Sequence, residues 1–508
     1  MGKGMRFIYT FFRFSNQPKK FISTRQNMLN RKLLEILKRL NLLEKSQLRQ
    51  FLLSPYFNGG TKSGEILRLY DLIIQHEAVE NHPDLRKEAV FALFFPGRPF
   101  EEKAKGPLDT LTTVLFQLVR RFLAQKGMEQ ENGEIFEYLM LAKFYRKYAL
   151  EERFWQSIHQ ARKVQQQSVE HDALYFFKQY KIEEEELTFR GLYNTFEDDT
   201  NLYAVQENLD KYYSILKLEY ASALEHQKRF TKLSEYPSQL MNDSVLKLSE
   251  AGGPFDLPIN RIYRLIMSLA QNPDEDRNFQ ALEQITKEYR KEIPLDKYRD
   301  MMAYQRAFGV KRYLKSGQEG ASQRSFEMYR EHLEEGFFYI DQSITLNAFY
   351  NLILFALKQG ELDWAKFFLD NHPPDRIYGT RYPEDIHSLG MAEYLFAAKH
   401  YEEAEKSLVY RLFENTFMSI AADVLLIKIY YETGNDLLET RMRALDQKVR
   451  RTRYSEEKKA TYLNFLRKLD KIIKYAWQPR SSRRLKLREE IRTMPGISSR
   501  EWLLEKLS

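Results

Sequence analysis

The sequence predicts an all-α protein: an N-terminal helical domain followed by an α-solenoid of helix hairpins, with repeats toward the C-terminus. Three observations carry this. Only 21 Gly and 16 Pro occur in 508 residues, below the ordinary usage of about 7% and 5%, which favours long helices over turn-rich β structure. No segment alternates with period two between turn signals, so no sheet is assigned. Finally, Leu346–Ala444 repeats itself: Leu362 aligns with Tyr401, Ala365 with Ala404 and Leu369 with Leu408, each 39 residues apart. Self-similarity at such a period marks stacked helix hairpins.

Residues 1–27 fit poorly with the rest. Arg6, Arg13, Lys19, Lys20 and Arg25 interrupt the aromatics, and Phe7–Phe12 is too short for a signal peptide. The acid-free composition suggests an organelle transit peptide. The preferred reading is a non-native or disordered extension upstream of a start at Met28, because the helical pattern begins at Leu29.

Residues 28–127 are expected to form the N-terminal helical domain. Leu33, Ile36, Leu37 and Leu40 recur at helical spacing, followed by Leu48, Phe51 and Leu52. Ser54-Pro55-Tyr56-Phe57-Asn58-Gly59-Gly60 ends that helix, since Pro biases Ser54 away from helix and glycine tolerates positive φ. Helices over Ile66–Gln75 and Leu85–Phe95 precede the stop Pro96-Gly97-Arg98-Pro99, and Leu108–Ala124 closes the domain. Residues 134–333 read as irregular hairpins: Ile135–Tyr148 with Arg153–Gln167, then Ala173–Leu187 with Leu202–Phe230. A linker is expected near 231–257, where Pro237, Gly252-Gly253-Pro254 and Pro258 bracket a weak helix. Arg261–Gln271, Phe279–Glu292, Tyr298–Lys315 and Ser322–Leu333 continue the run.

Residues 341–477 hold the repeats and a capping helix. Leu346–Lys358 pairs with Leu362–Leu369, Asp385–Ala398 with Tyr401–Leu408, and Met418–Glu432 with Leu437–Leu445. A small residue, Ala365 or Ala404, lets the second helix of a pair approach the first, and larger side chains fill the grooves between pairs. The pattern resembles the tetratricopeptide (TPR) repeat, whose period is about 34 residues. The first interval is longer because of the loop Asn371–Pro383, and the third unit is degenerate, with Glu439 or Thr440 at the small position. Ser455 is expected to cap a helix to about Trp477, with Glu456 and Glu457 complementing its dipole. Residues 478–508 form a basic tail and a terminal docking helix. There Ser498-Ser499-Arg500-Glu501 reads as a capping box, and Ile497 with Trp502 as a hydrophobic staple. Such a short helix must dock, on its own chain or on a partner.

Several stretches together sharpen the resemblance: Phe51-Leu52-x-Ser54-Pro55-Tyr56-Phe57-Asn58, Phe94-x-Pro96-Gly97-x-Pro99-Phe100, Leu426-x-Lys428-Ile429-Tyr430-Tyr431-Glu432-x-Gly434, Tyr462-Leu463-Asn464-Phe465 and Glu501-Trp502-Leu503-Leu504-Glu505-Lys506-Leu507. From about Met28 onward the chain resembles an uncharacterised bacterial family of TPR-like proteins. The resemblance implies a helical-repeat fold and carries no catalytic residue.

The composition narrows function. Without cysteine there are no disulfides, thiolate nucleophiles or cysteine metal sites, which fits a cytoplasmic location. No apolar run approaches 18 residues, so no transmembrane segment is expected. The net charge of +8 is uneven: residues 441–492 hold 18 Lys/Arg against six Asp/Glu, and residues 1–34 hold eight Lys/Arg and no acid. The body between them is acidic.

Candidate chemistry is sparse. Asn58-Gly59-Gly60-Thr61-Lys62-Ser63 faintly resembles a phosphate loop, but Thr61 stands where Gly should precede the Lys, so a capping turn is the better reading. His76-Glu77 and His82 suggest a zinc helix, yet position 80 is Glu and Pro83 ends the helix; they read as surface residues. No cofactor, metal or catalytic residue is assigned. The basic candidates are Arg450, Arg451 and Arg453 in one loop, Arg467, Lys471 and Lys474 on one helix face, then Arg483, Arg484, Lys486 and Arg488. Such a set could neutralise phosphates on nucleic acid, or form a solvated face that pairs with the acidic body. The function expected first is a non-enzymatic interaction scaffold for a protein or peptide partner, with Tyr394, Tyr430, Tyr431 and Trp502 as candidate contacts. The alternative is nucleic-acid binding through the basic C-terminal region.

Overall fold

The computed structural model describes residues 29–76, 82–100, 106–193, 201–228, 239–250, 255–272, 275–316, 319–340, 342–409, 411, 413–475 and 482–507. The expected extension 1–27 lies outside them, as do Pro237 and the glycines of the expected linker. The protein is all-α, apart from one small sheet, and divides into two compact units at Val164/Gln165.

The first unit contains α1 (Arg31–Leu37), α2 (Leu42–Leu53), α3 (Ser63–His76), a 3₁₀ turn (Pro83–Leu85), α4 (Lys87–Phe94) and α5 (Pro107–Lys147). Most of α6 (Glu151–Gln166) belongs to it too. Asn30 caps α1 by accepting from the amides of Lys32 and Leu33. Asn41 and Glu44 form a reciprocal capping box at α2, satisfying two otherwise orphaned donors. Leu33, Leu37, Leu48, Leu69, Ile73, Val90, Leu111 and Leu115 fill the core. Within α5 the helical geometry is broken at Gly133 (φ 61°, ψ −173°), inside the interval 127–134 where the sequence placed a boundary, so α5 is two helical segments joined at that residue.

The second unit starts with α7 (Ala173–Tyr193) and α8 (Leu202–Lys228), packed along each other. Next come α9 (Gln239–Glu250), α10 (Pro258–Gln271), α11 (Asp276–Glu288), α12 (Leu295–Ser316) and α13 (Glu319–Glu334). The segment expected as a linker therefore contains α9, whose Val245 is buried in the same core as Leu218, Ile262 and Ile266. Farther along are α14 (Leu346–Lys358), α15 (Leu362–Asn371), α16 (Pro383–Ala397), α17 (Tyr401–Leu408), α18 (Thr416–Thr433), α19 (Leu438–Arg451), α20 (Glu456–Lys474), α21 (Ser482–Thr493) and α22 (Arg500–Glu505). From α13 to α20 each helix packs on its successor, and α14 also touches α16, as α16 does α18. Ala365 and Ala404 are both fully buried at these approaches. Gly390 on α16 has no room for a side chain: a Cβ there would lie 2.7 Å from Ile353 Cδ1 and 3.2 Å from both Leu369 and Phe349.

The sheet corrects the sequence reading. β1 (Tyr339–Ile340) pairs antiparallel with β2 (Ser343–Thr345), and β2 pairs parallel with β3 (Ile377–Tyr378). Its strands are too short to show alternation. β3 comes from the loop Asn371–Pro383, and it buries Ile377 beside Ile344. His372 holds this corner, bonding the Phe368 carbonyl through Nδ1 (2.8 Å) and the Tyr339 hydroxyl through Nε2 (2.7 Å).

Two buried groups couple this unit to pH. Burial pushes Asp300 up to about 7, although Lys297 opposes the rise. Burial pushes His332 down to about 3, assisted by the adjacent Arg306 guanidinium, which donates to His332 Nδ1 at 2.9 Å. Asp300 thus contributes stability below its ordinary carboxylate range that is lost as pH rises through about 7. His332 contributes stability above its ordinary range, near 6.5, that is lost as pH falls toward about 3. The two slopes oppose each other between these limits.

Two outcomes are expected. Gly390→Val should lower stability by roughly 1–3 kcal/mol in chemical denaturation, because three core side chains must move; an unchanged midpoint would remove the packing argument. Asp300→Asn should steepen the loss of thermal stability on acidification from pH 7 to 4, while His332→Gln should flatten it. Parallel melting profiles across that range for all three proteins would contradict the burial-driven shifts.

Candidate functional site

The C-terminal helix is where the sequence-predicted contacts meet. Ile497, Trp502, Leu503 and Leu507 are buried against Leu445, Phe465 and Leu469. The Trp502 indole N–H donates to Glu432 Oε1 at 2.7 Å. Its ring meets Tyr431 edge-on at 5.3 Å and lies 6.2 Å from Phe465. Lys506 Nζ reaches Glu432 at 2.5 Å, and Glu501 pairs with Lys358 at 2.9 Å. The tail segment therefore touches α14, α18 and α20 of its own chain.

The turn before α22 is built differently from the sequence expectation. Ser499 sits in the left-handed region (φ 52°), and its side chain makes no capping bond. The N-cap falls at Ser499 rather than Ser498, and Glu501 pairs with Lys358. The turn is held from α20: the Ser498 amide donates to the Thr461 carbonyl (3.1 Å), and the Asn464 amide group donates to the Gly496 carbonyl (3.2 Å). The Arg484 guanidinium donates to the Lys506 carbonyl at 3.0 Å. Burial alone would lower Lys506, but Glu432 and Glu505 outweigh it and hold the ammonium above its ordinary value. Burial lowers Lys358 despite Glu501.

The four candidate contact residues separate. Tyr430 is only 4% exposed, within the core shared by α14, α16 and α18, so it offers no free surface. Trp502 is 8% exposed and already seated. Tyr431 is half-buried against it, and burial raises its hydroxyl pKa. Tyr394 is half-buried on α16. The sequence reading missed Glu432, whose single carboxylate serves both Trp502 and Lys506. Nothing local marks it among the chain's many acids.

The basic candidates form no uniform face. Arg450 is held by Asp446 (2.6 and 3.1 Å), Lys474 by Asp470 (2.7 Å), and Lys471 lies 3.6 Å from Glu490. Glu490 also receives the buried Lys468 at 2.5 Å, and that bond holds its carboxyl below the ordinary range. Arg451, Arg453, Arg467, Arg483, Lys486 and Arg488 are exposed and form no ion pair among the described residues.

Elsewhere in the second unit, a cleft of about 230 Å³ is lined by His171, Tyr175, Phe176, Tyr289, Glu292 and Ile293. His171 Nδ1 lies 3.6 Å from Glu292. Near this cleft Asp172 caps α7 by accepting from the Tyr175 amide at 3.0 Å, and burial raises its carboxyl pKa. Burial would lower Lys297, but its bonded partner Glu219 raises it.

In the first unit, the stretch resembling a phosphate loop is a closed turn. Asn58 is buried, and its side-chain amide donates to the carbonyls of Leu52 (2.9 Å) and Ser63 (3.4 Å). Gly59 is required there, since a Cβ would sit 2.5 Å from the Pro55 carbonyl oxygen. His76 and His82, separated by helical spacing rules, are brought together: their rings stack at 4.4 Å beside Asp84. The turn Pro83–Leu85 sets Asp84 beside His82, whose Nδ1 accepts from the Asp84 amide.

Glu432 and Trp502 are expected to act as a pair. In a double-mutant cycle, Glu432→Ala and Trp502→Ala should couple by about 1 kcal/mol or more, as hydrogen bonds to charged groups do. Additive losses of stability would show that the tail is held by apolar burial alone.

The chain matches no protein-family model, no curated protein and no solved structure.

Proposed function

We propose that the protein is a non-enzymatic interaction scaffold. Its α14–α20 region is a TPR-like solenoid whose surface receives a helical segment of a protein partner. The observation that carries this reading is the seat of α22. A short helix lies across three non-consecutive helices, anchored by one aromatic residue and a shared carboxylate. That is the contact set a helix-in-groove partner needs: an aromatic anchor in a pocket with charged pairs at its rim. The serial packing of α13 to α20 and the equivalent buried Ala365 and Ala404 support a repeat architecture. A cytoplasmic setting fits the cysteine-free composition, and among the described residues no helix is long and apolar enough to cross a membrane.

A second reading rests on the six exposed basic residues without ion pairs. Distributed over the end of α19, the loop after it, α20 and α21, they could contact nucleic-acid phosphates. The acidic partners interleaved with them favour the scaffold.

The test uses a labelled peptide of residues 496–507 added to the full chain carrying Trp502→Ala, which weakens the resident helix. The scaffold reading expects saturable binding, lost when Glu432 is also replaced by Ala and little changed by salt. No binding would remove the groove. If instead the wild-type chain binds a random-sequence DNA duplex with steep salt dependence, the basic surface becomes the functional one.

A further inference from the structure

His76, His82 and Asp84 meet beside the turn that precedes α4. His76 is the last described residue of α3, His82 precedes the 3₁₀ turn, and Asp84 lies within that turn. Leu85, 2% exposed, anchors the turn in the core, and its carbonyl accepts from the Leu29 amide at 3.0 Å. The position of Asp84 is thus set by the fold of the first unit rather than by the side chains it faces.

The distances suit a bound cation better than the contacts present. Asp84 Oδ2 lies 3.7 Å from His76 Nε2 and 3.7 Å from His82 Nδ1. Both separations are too long for a hydrogen bond. All three potential ligand atoms fall within 4.8 Å of one another. A tetrahedral zinc ion with bonds near 2.1 Å sets its ligand atoms about 3.4 Å apart. Movements of a few tenths of an ångström therefore close the Asp84 sides of the triangle. His82 would give up one weak bond, since its Nδ1 now accepts from the Asp84 amide at 3.3 Å. The His76 and His82 side chains are 19% and 25% exposed and Asp84 59%. The exposed Asp84 carboxylate leaves the site accessible to water, which can complete the coordination.

We propose that His76, His82 and Asp84 form a site for a first-row divalent cation, Zn²⁺ foremost. Two imidazoles and one carboxylate are a donor set such ions take, and water supplies the fourth ligand. The bound ion would tie the end of α3 to the turn before α4, across the intervening segment of sequence. The site is independent of the scaffold reading, which concerns the other unit.

The experiment titrates the full chain, first stripped with a chelator, with ZnCl₂ by calorimetry and separately with Co²⁺ by visible absorption. One saturable equivalent is expected, together with the intense ligand-field bands of tetrahedral Co²⁺. His76→Ala and His82→Ala should each weaken binding at least tenfold, and Asp84→Asn should weaken it measurably. His159→Ala, on an exposed face of α6, should leave it unchanged. Circular dichroism checks that each variant folds, and the cobalt spectrum of the wild-type chain needs no variant. Absence of a saturable equivalent, or binding unchanged in the His76→Ala/His82→Ala double variant, would overturn the proposal. In that case the two rings are a packing pair and nothing more.

Discussion

The arrangement of the C-terminal half depends on how closely α14, α15 and α16 can approach. Ala365 and Gly390 lie at those contacts, and Ile353, Phe349 and Leu369 fill the space that a larger residue would need. Protein cores are close-packed, so one methylene too many is transmitted to neighbours instead of absorbed. Every later helix is positioned from this contact. α16 carries α17 and α18, α18 carries Glu432, and Glu432 receives the tail. A shift of α16 would move the seat of Trp502 even though no residue of the seat had changed.

The helices of the C-terminal half were legible because their signal is periodic. Ala365 and Ala404, small in sequence, are both buried where neighbouring helices approach, and Gly360 and Gly434 follow helix ends at positive φ. The helices of the first unit were legible from spacing of the same kind. What escaped notice was set by folding rather than by pattern. Two- and three-residue strands give no alternation to detect, so the sheet that receives Ile377 was invisible. The juxtaposition of His76, His82 and Asp84 depends on a turn, whereas the spacing rule applied to them assumes one helix. Glu432 looks like any other glutamate until Trp502, far along the chain, arrives beside it. Conversely, Tyr430 and Tyr431 are neighbours in sequence but lie on different sides of α18, one in the core and one against the tail.

Charge is organised by burial in the same way. The segment read from sequence as a third, degenerate unit has Glu439 and Thr440 where a small residue would be expected. There α18 and α19 are joined instead by Asp423, 7% exposed, which pairs with Arg441 and Lys448. Glu393 similarly accepts from the buried Tyr350 hydroxyl at 2.8 Å, joining α16 to α14. A buried carboxylate is costly unless its lone pairs are satisfied, so these contacts specify partners more than they add stability. Part of the basic excess of residues 441–492 is consumed this way. Net charge along the sequence therefore overstates the positive surface that solvent meets.

The bond between Trp502 and Glu432 joins residues 70 positions apart. The pair Lys358–Glu501 closes a loop twice as long. Contacts of such separation must overcome loop-closure entropy before they contribute. The helices that present Lys358, Glu432 and Phe465 can form from near neighbours; the tail must wait for all three. Loop-closure entropy alone therefore favours forming the seat before the tail helix closes on it. The reverse holds for local opening. Release of residues 496–507 would uncover Tyr431 and Phe465, which it now covers, while leaving the contacts between the underlying helices in place.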